Sequence, residues 1–481
     1  MEPRGSRPAA VAGGDPATVE AAATVLRAGG NAFDAAVAAG FASALAEPGL
    51  TSLGGGGFLL ARTADGRATL VDFFVDTPGR GRSPASLEPH FTPVTVAFSG
   101  ADQVFHVGYG SVGVPGALAG YLHVHERFGR LPLPDVVAPA QRLARQGTRL
   151  EPMQAAVVVL LADILTLTDE ARAVFAPSGR LPATGDLVTN PRYADFLDEV
   201  AAGRVAGFAD PALAQPLAAA MSRGGGLVGV DDLEGYRVVE REPLAFTYRG
   251  VRILTNPAPS FGGGLVAHGL ERLEAGDPLA TALAAISDRG LIARVRSVKG
   301  TTHVSVADTE GNVASMTTSN GSCSGVMVPG TGIQLNNVMG ERDLHPDGFH
   351  AAPPGQRVGS MMAPTVVEHP DGRLTALGSG GSERIRSALT QVLRHLVDDG
   401  AAPQDAVDAP RLHWDGAGYQ AEPGLPDEVL AGTAGAPVNV WPDVDVYFGG
   451  VHVVTTGRPG VQVTGDPRRG GATAIVPTAP G

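Results

Sequence analysis

The stretch Gly300-Thr301-Thr302-His303-Val304-Ser305-Val306-Ala307-Asp308-Thr309-Glu310-Gly311-Asn312-Val313-Ala314-Ser315-Met316-Thr317 reads as a β-hairpin. Residues 302–307 and 313–317 alternate with the period of two that puts successive side chains on opposite faces of a sheet, and Asp308 to Asn312 is turn-forming. C-terminal to it, Ser319-Asn320 ends the second strand and Leu335-Asn336-Asn337 follows in a turn-rich stretch. A further strand at 373–378 runs into Gly378-Ser379-Gly380-Gly381-Ser382, and 384–398 has the apolar spacing of an amphipathic helix. N-terminal to the hairpin, 243–256 reads as strands, 115–165 and 211–223 as helices, and Ala17 to Glu47 as two alanine-rich helices joined by Gly29-Gly30-Asn31. Gly54-Gly55-Gly56-Gly57 turns into a strand at Phe58 to Ala61, with Thr69 to Phe73 as its partner. Helices gather early and strands late, an order that fits a sheet-on-sheet core covered by helices better than a βαβ series.

With 481 residues, 43% hydrophobic and 18% charged, the chain can bury a large core, which excludes disorder as its main state. A net charge of −13 argues against nucleic acid or an anionic membrane surface as partner. Cys323 is the only cysteine, so no internal disulfide and no multi-thiolate metal cage can form. Gly54 to Gly57 and Gly262-Gly263-Gly264 both lack the lysine of a phosphate loop, and His123-Val124-His125-Glu126 lacks the spacing of a zinc helix, so neither metal nor cofactor is expected. Met1 to Val11 holds no apolar run of signal length, and no uncharged stretch reaches the roughly 18 residues of a membrane span. The expectation is a cytoplasmic protein.

Gly300-Thr301 stands out for its chemistry. A threonine hydroxyl needs a base to attack a carbonyl, and a free α-amine on the same residue, with a pKa of about 7.7–8.0, would supply one once the chain is cut before it. Glycine before the threonine suits a strained backbone from which the hydroxyl attacks its own preceding carbonyl. Gly380-Gly381, at a strand end, can offer consecutive N–H groups to an oxyanion.

The chain resembles the γ-glutamyltransferase (γ-glutamyltranspeptidase) family of N-terminal nucleophile hydrolases over nearly its whole length. The resemblance rests on blocks that stand in order: Gly29 to Ala36, Glu47-Pro48 with Gly54 to Phe58, Ser111 to Gly116, Gly129 to Pro132, Glu240 to Leu244, Thr301-Thr302-His303, Pro329 to Ile333, Leu335-Asn336-Asn337, Met362-Ala363-Pro364, Gly378 to Ser382 and Gly465 to Gly471. It implies an α+β fold, a four-layer αββα sandwich, and cleavage between Gly300 and Thr301. Residues 1–300 and 301–481 would then remain together as a large and a small subunit. It further implies Thr301 as nucleophile, Gly380 and Gly381 as oxyanion hole, Ser319 as a second hydroxyl against the nucleophile, and Asn320 as the nearby substrate-binding asparagine. The acidic residue that holds the substrate's amine maps to Glu341, with Asp343 as the alternative.

The departures fall on substrate binding. Family members hold the γ-glutamyl α-carboxylate with an arginine in a strand reading Asp-Phe-Arg-Glu, and this chain reads Asp72-Phe73-Phe74-Val75. Phe74 thus replaces a charge-assisted pair worth about 1.5–3 kcal/mol by an aromatic wall. The family's paired serines become Ser360 and Met361. With few residues between Asp343 and Arg357, the expectation is an open cleft. The reading that follows is a processed threonine hydrolase or acyltransferase acting on an amide or γ-glutamyl-type compound, with water or an amine as acceptor. The alternative is an unprocessed, inactive scaffold of the same fold.

Overall fold

The computed structural model describes residues 7–83, 88–98, 101–287, 300–345 and 348–478. Two large sheets face one another. The first is seven-stranded, with Ala472–Val476, Ala9–Gly13, Gly300–Ala307, Val313–Gly321, Gly56–Arg62, Ala68–Asp72 and Val239–Arg241 side by side in that order. The second is six-stranded and runs Val461–Thr464, Gly450–Thr456, Leu374–Gly380, Thr365–Glu368, Val251–Thr255 and Leu244–Tyr248. Every neighbouring pair in both is antiparallel.

Strand alternation builds the layers. Ala9 and Val11 join the core beneath the early helices, whereas Ala10 and Ala12 join the core between the sheets. Leu59 and Ala61 divide from Phe58 and Leu60 in the same way. Helices Pro16–Arg27, Ala32–Ala46 and Ala117–Phe128 cover the outer face of the first sheet, and Gly262–Glu274 with Arg384–Val397 cover the second. Ala32–Ala46 is buried all round except at Ala44, as expected of a helix apolar on every side. Asn31 and Asp34 form a capping box at its start, which gives the Gly29 to Ala36 block a structural reason. The result is the αββα sandwich expected from the sequence.

Both sides of the 300/301 bond contribute strands to each sheet. Ala9–Gly13 pairs directly with the Thr301 strand, Gly13 opposite Val304 and Ala10 opposite Ala307. Opening one peptide bond at the start of that strand would leave these ladders in place, so the two pieces have a physical reason to stay joined. No helix among the described residues is long and apolar enough to cross a membrane.

Candidate active site

Thr301 lies near the start of its strand, opposite Ser319, with a register irregularity between Gly300 and Thr301. The Thr301 hydroxyl donates to Ser319 Oγ at 3.2 Å, and Ser319 Oγ donates to the Gly300 carbonyl oxygen at 2.7 Å. The Gly321 N–H donates to the same Ser319 oxygen at 3.1 Å, which fixes its orientation. One hydroxyl therefore sits between the Thr301 hydroxyl and the Gly300 carbonyl oxygen. A Cβ at Gly300 would lie 2.1 Å from the Gly49 carbonyl oxygen and 2.5 Å from that of Gly321, so no larger residue fits there. Close backbone approach, rather than a left-handed backbone, is what demands glycine: Gly300 is not among the residues with positive φ.

A narrow cleft, with about 20 Å³ of room for water-sized contents, opens onto this pair. Phe74, Glu341, Ser360 and Met361, all singled out by the sequence, line it with Thr301 and Ser319; Leu344, Met362, Ser382 and Ile385 complete it. It is narrow rather than open: Leu344, from the short segment after Glu341, stands in its wall, and Thr301 and Ser319 are 4% and 7% exposed. Phe74 stacks on Phe58 with ring centroids 5.6 Å apart, so the wall is rigid and apolar. The side chain of Asp343, the alternative to Glu341, lies outside the described residues.

Asn320, expected as a substrate-binding residue, is not in the cleft lining. It follows Ser319 on the same strand, so alternation turns its side chain away from the cleft, and its amide nitrogen lies 3.4 Å from Cys323 Sγ and 3.3 Å from the Leu335 carbonyl oxygen. Gly380 lies beside the Thr301 main chain and Gly381 packs against Gly449, and the cleft lining at that corner is Ser382. A Cβ at Gly380 would stand 2.2 Å from the Thr301 carbonyl oxygen, and Gly381 has φ +123°, which disfavours any side chain. The run Gly54 to Gly57 serves the same purpose from the other side: a Cβ at Gly55 would meet the Ser319 carbonyl oxygen at 2.3 Å.

His303, two residues from the nucleophile, is not a competing base. Burial pushes its pKa well below the ordinary histidine range, and both ring nitrogens are held, Nδ1 by Thr317 Oγ1 at 2.8 Å and Nε2 by Ser305 Oγ at 2.9 Å. Behind the strand, Glu47 is fully buried and accepts from Thr18 Oγ1 at 2.8 Å. Burial raises it to about 7; burial and the nearby Glu47 raise Asp15 to about 8. Arg469 is also buried, its Nη1 3.5 Å from the Thr301 carbonyl oxygen, and burial lowers its pKa to about 10. Sequence reasoning placed Glu47 and Arg469 inside family blocks without a role; their burial beside the nucleophile strand could only be seen in three dimensions. No group of three or more histidine, cysteine or acidic side chains able to hold a metal occurs among the described residues. His123 instead pairs with Glu240 at 3.0 Å.

Comparison with known proteins agrees with this fold. The model of the Gamma-glutamyltranspeptidase family matches residues 18–285 and 277–476. An Acylase ACY 1 proenzyme from a Pseudomonas species is 33% identical over 86% of this chain and 84% of its own length. A Glutathione hydrolase proenzyme from Escherichia coli is 28% identical over 86% and 81%. The crystal structure of a cephalosporin acylase from Bacillus halodurans superposes with a TM-score of 0.80 at 27% identity, covering 98% of this chain and 96% of that one. With its sandwich fold and its Gly300-Thr301-Ser319 corner, the chain belongs to the γ-glutamyltranspeptidase family and is an enzyme of the N-terminal nucleophile hydrolase type.

Proposed function

We propose that the chain cuts itself between Gly300 and Thr301 and that the new Thr301 terminus hydrolyses or transfers amides through an acyl-enzyme. The observation that carries this reading is the pair of hydrogen bonds linking Thr301 Oγ1, Ser319 Oγ and the Gly300 carbonyl oxygen. In the uncut chain Thr301 Oγ attacks the Gly300 carbonyl carbon while Ser319 donates to the oxygen that becomes anionic. The C–N bond breaks, an ester links Gly300 to the Thr301 side chain, and the proton passes to the freed amine. Water then hydrolyses the ester, giving a Gly300 carboxylate and a Thr301 with free hydroxyl and amine. Residues 1–300 and 301–481 stay together as a heterodimer through the shared sheets.

In turnover the amine takes the Thr301 hydroxyl proton as the oxygen attacks the substrate's amide carbon, and returns it to the departing amine. Gly380 and Gly381 receive the oxyanion with their N–H groups. Water, or an acceptor amine, releases the acyl group. Phe74 and Met361 replace the family's carboxylate-binding residues, which makes an ordinary γ-glutamyl compound a poor substrate and favours acylase-like chemistry on another amide. That relatives are proenzymes of an acylase and a glutathione hydrolase supports the enzyme over the inactive scaffold.

Acid-quenching the protein during turnover of an acyl p-nitroanilide tests this. The acyl mass should appear on the 301–481 chain and map to Thr301; acylation of any other residue would overturn the assignment.

A further inference from the structure

A second cavity, of about 480 Å³, opens between the helices Ala117–Phe128 and Pro191–Ala201 and the chain at 236–238. It shares no lining residue with the cleft, and its size falls in the roughly 300–1,000 Å³ of small-molecule sites. Leu122, Leu133, Val200, Val205 and Val238 give it apolar walls.

The two charges in its lining are not equally held. Arg237 is exposed but fixed: its Nη1 donates to the Glu234 and Tyr236 carbonyl oxygens at 2.6 and 2.7 Å, and its own carbonyl oxygen accepts from Arg357 Nη2 at 2.6 Å. It forms no ion pair among the described residues. Glu126 is exposed and makes no hydrogen bond among the described residues, so nothing fixes it toward the cavity. His123 and His125 each spend a ring nitrogen elsewhere, on Glu240 at 3.0 Å and on the Leu131 carbonyl oxygen at 2.8 Å. An apolar chamber whose fixed, unpaired charge is a guanidinium suits a molecule with an apolar body and one carboxylate.

Tyr236 ties this chamber to the cleft. It lines the cavity, and its phenol donates to the Phe74 carbonyl oxygen at 2.7 Å. Arg357 also holds it, donating from Nη1 to the phenol oxygen at 2.7 Å with the guanidinium 4.9 Å from the ring centroid. A Cβ at Gly116 would stand 2.0 Å from that oxygen, so the phenol has no room to shift. Phe74 in turn lines the cleft.

We infer that this cavity is a second ligand site, for an amphipathic monocarboxylate whose carboxylate sits on Arg237, and that its occupancy is felt at Phe74 through Tyr236. The site does not depend on the reading of Thr301.

Octanoate is the probe, and octylammonium its counterpart of opposite charge. In calorimetry the unmodified protein should bind octanoate at least about fivefold more tightly than octylammonium, and at least about fivefold more tightly than Arg237→Gln does. Ala206→Trp, from an exposed position in the lining, fills the cavity and should abolish binding. No octanoate binding by the unmodified protein, equal or tighter binding of octylammonium, or octanoate binding unaltered in either variant overturns the site; should Ala206→Trp not fold, Arg237→Gln decides. Hydrogen exchange reads the link. Octanoate should slow exchange in the peptide Leu70–Asp76 of the unmodified protein and not in Tyr236→Phe, which keeps the ring and loses the phenol bond. Exchange there unchanged by octanoate in the unmodified protein, or slowed equally in Tyr236→Phe, refutes the link to Phe74.

Discussion

The two walls of the cleft are made of different material. On the nucleophile side, Gly300 and Gly380 bring main chains together around Thr301, and Ser319 bridges its hydroxyl to the Gly300 carbonyl. On the acyl side, Phe74, Met361, Leu344 and Ile385 form a mostly apolar surface with Glu341 and Ser360 as its polar points. The first wall is fixed by distances of hydrogen-bond length and by space for no Cβ at all, so it tolerates almost no substitution. The second is fixed by shape and charge, which side chains can change without moving the backbone. Chemistry can therefore stay the same while substrate drifts.

Substitutions on each wall should then have opposite signatures. Thr301→Ala removes the attacking oxygen for both cutting and turnover; denaturing electrophoresis should show one full-length band, and amide hydrolysis should fall by about 10⁴-fold or more. Turnover in that variant at the unmodified rate would break the comparison at its root. Ser319→Ala removes the donor to the Gly300 carbonyl oxygen and should slow self-cleavage about 10²-fold, followed as band conversion over time, because one such donor is worth about 3 kcal/mol of barrier. On the other wall, Phe74→Arg restores a fork for a carboxylate. It should lower KM for γ-glutamyl-p-nitroanilide about tenfold or more while leaving self-cleavage unaltered. Efficient glutathione hydrolysis by the unmodified protein would remove the distinction between the walls.

The smallest effect concerns the acids behind the Thr301 strand. Burial raises Asp15 to about 8 and Glu47 to about 7, so both bind protons more tightly in the folded than in the unfolded chain. Their contribution to stability is complete below about pH 4 and is lost as pH rises through 7 and 8. Asp15→Asn keeps the acceptor for the Ala17 N–H and cannot ionise. Relative to the unmodified protein, its Tm should rise by a few °C between pH 5 and pH 8, on the order of 1 °C per kcal/mol for a chain of this length. A constant difference across that range would show that the carboxyl group does not charge there.

The hairpin at 300–321, the early helix pair and the strand-to-helix turn at Gly380 were legible in the sequence because each carries a local signal of alternation, helical spacing or turn residues. The strand Ala9–Gly13, central neighbour of the nucleophile strand, carries none: Ala-Ala-Val-Ala-Gly has the composition of a helix start, and pairing on both sides makes it a strand. In the site, the motif residues Thr301, Ser319 and Glu341 line the cleft. Asn320 lies off it, because which face a residue takes near a strand end depends on where the strand stops. Tyr236 and Leu344 were invisible for the opposite reason: their neighbours in space, Phe74 and the cleft, are distant in the chain.

The central claim is that the bond before Thr301 opens without help. Intact mass measurement of the freshly purified protein, repeated after incubation in buffer alone, tests it most directly. Two species whose masses correspond to 1–300 and 301–481, the second with an unmodified threonine at its start, are predicted. A single full-length mass in material that hydrolyses amides would contradict the account.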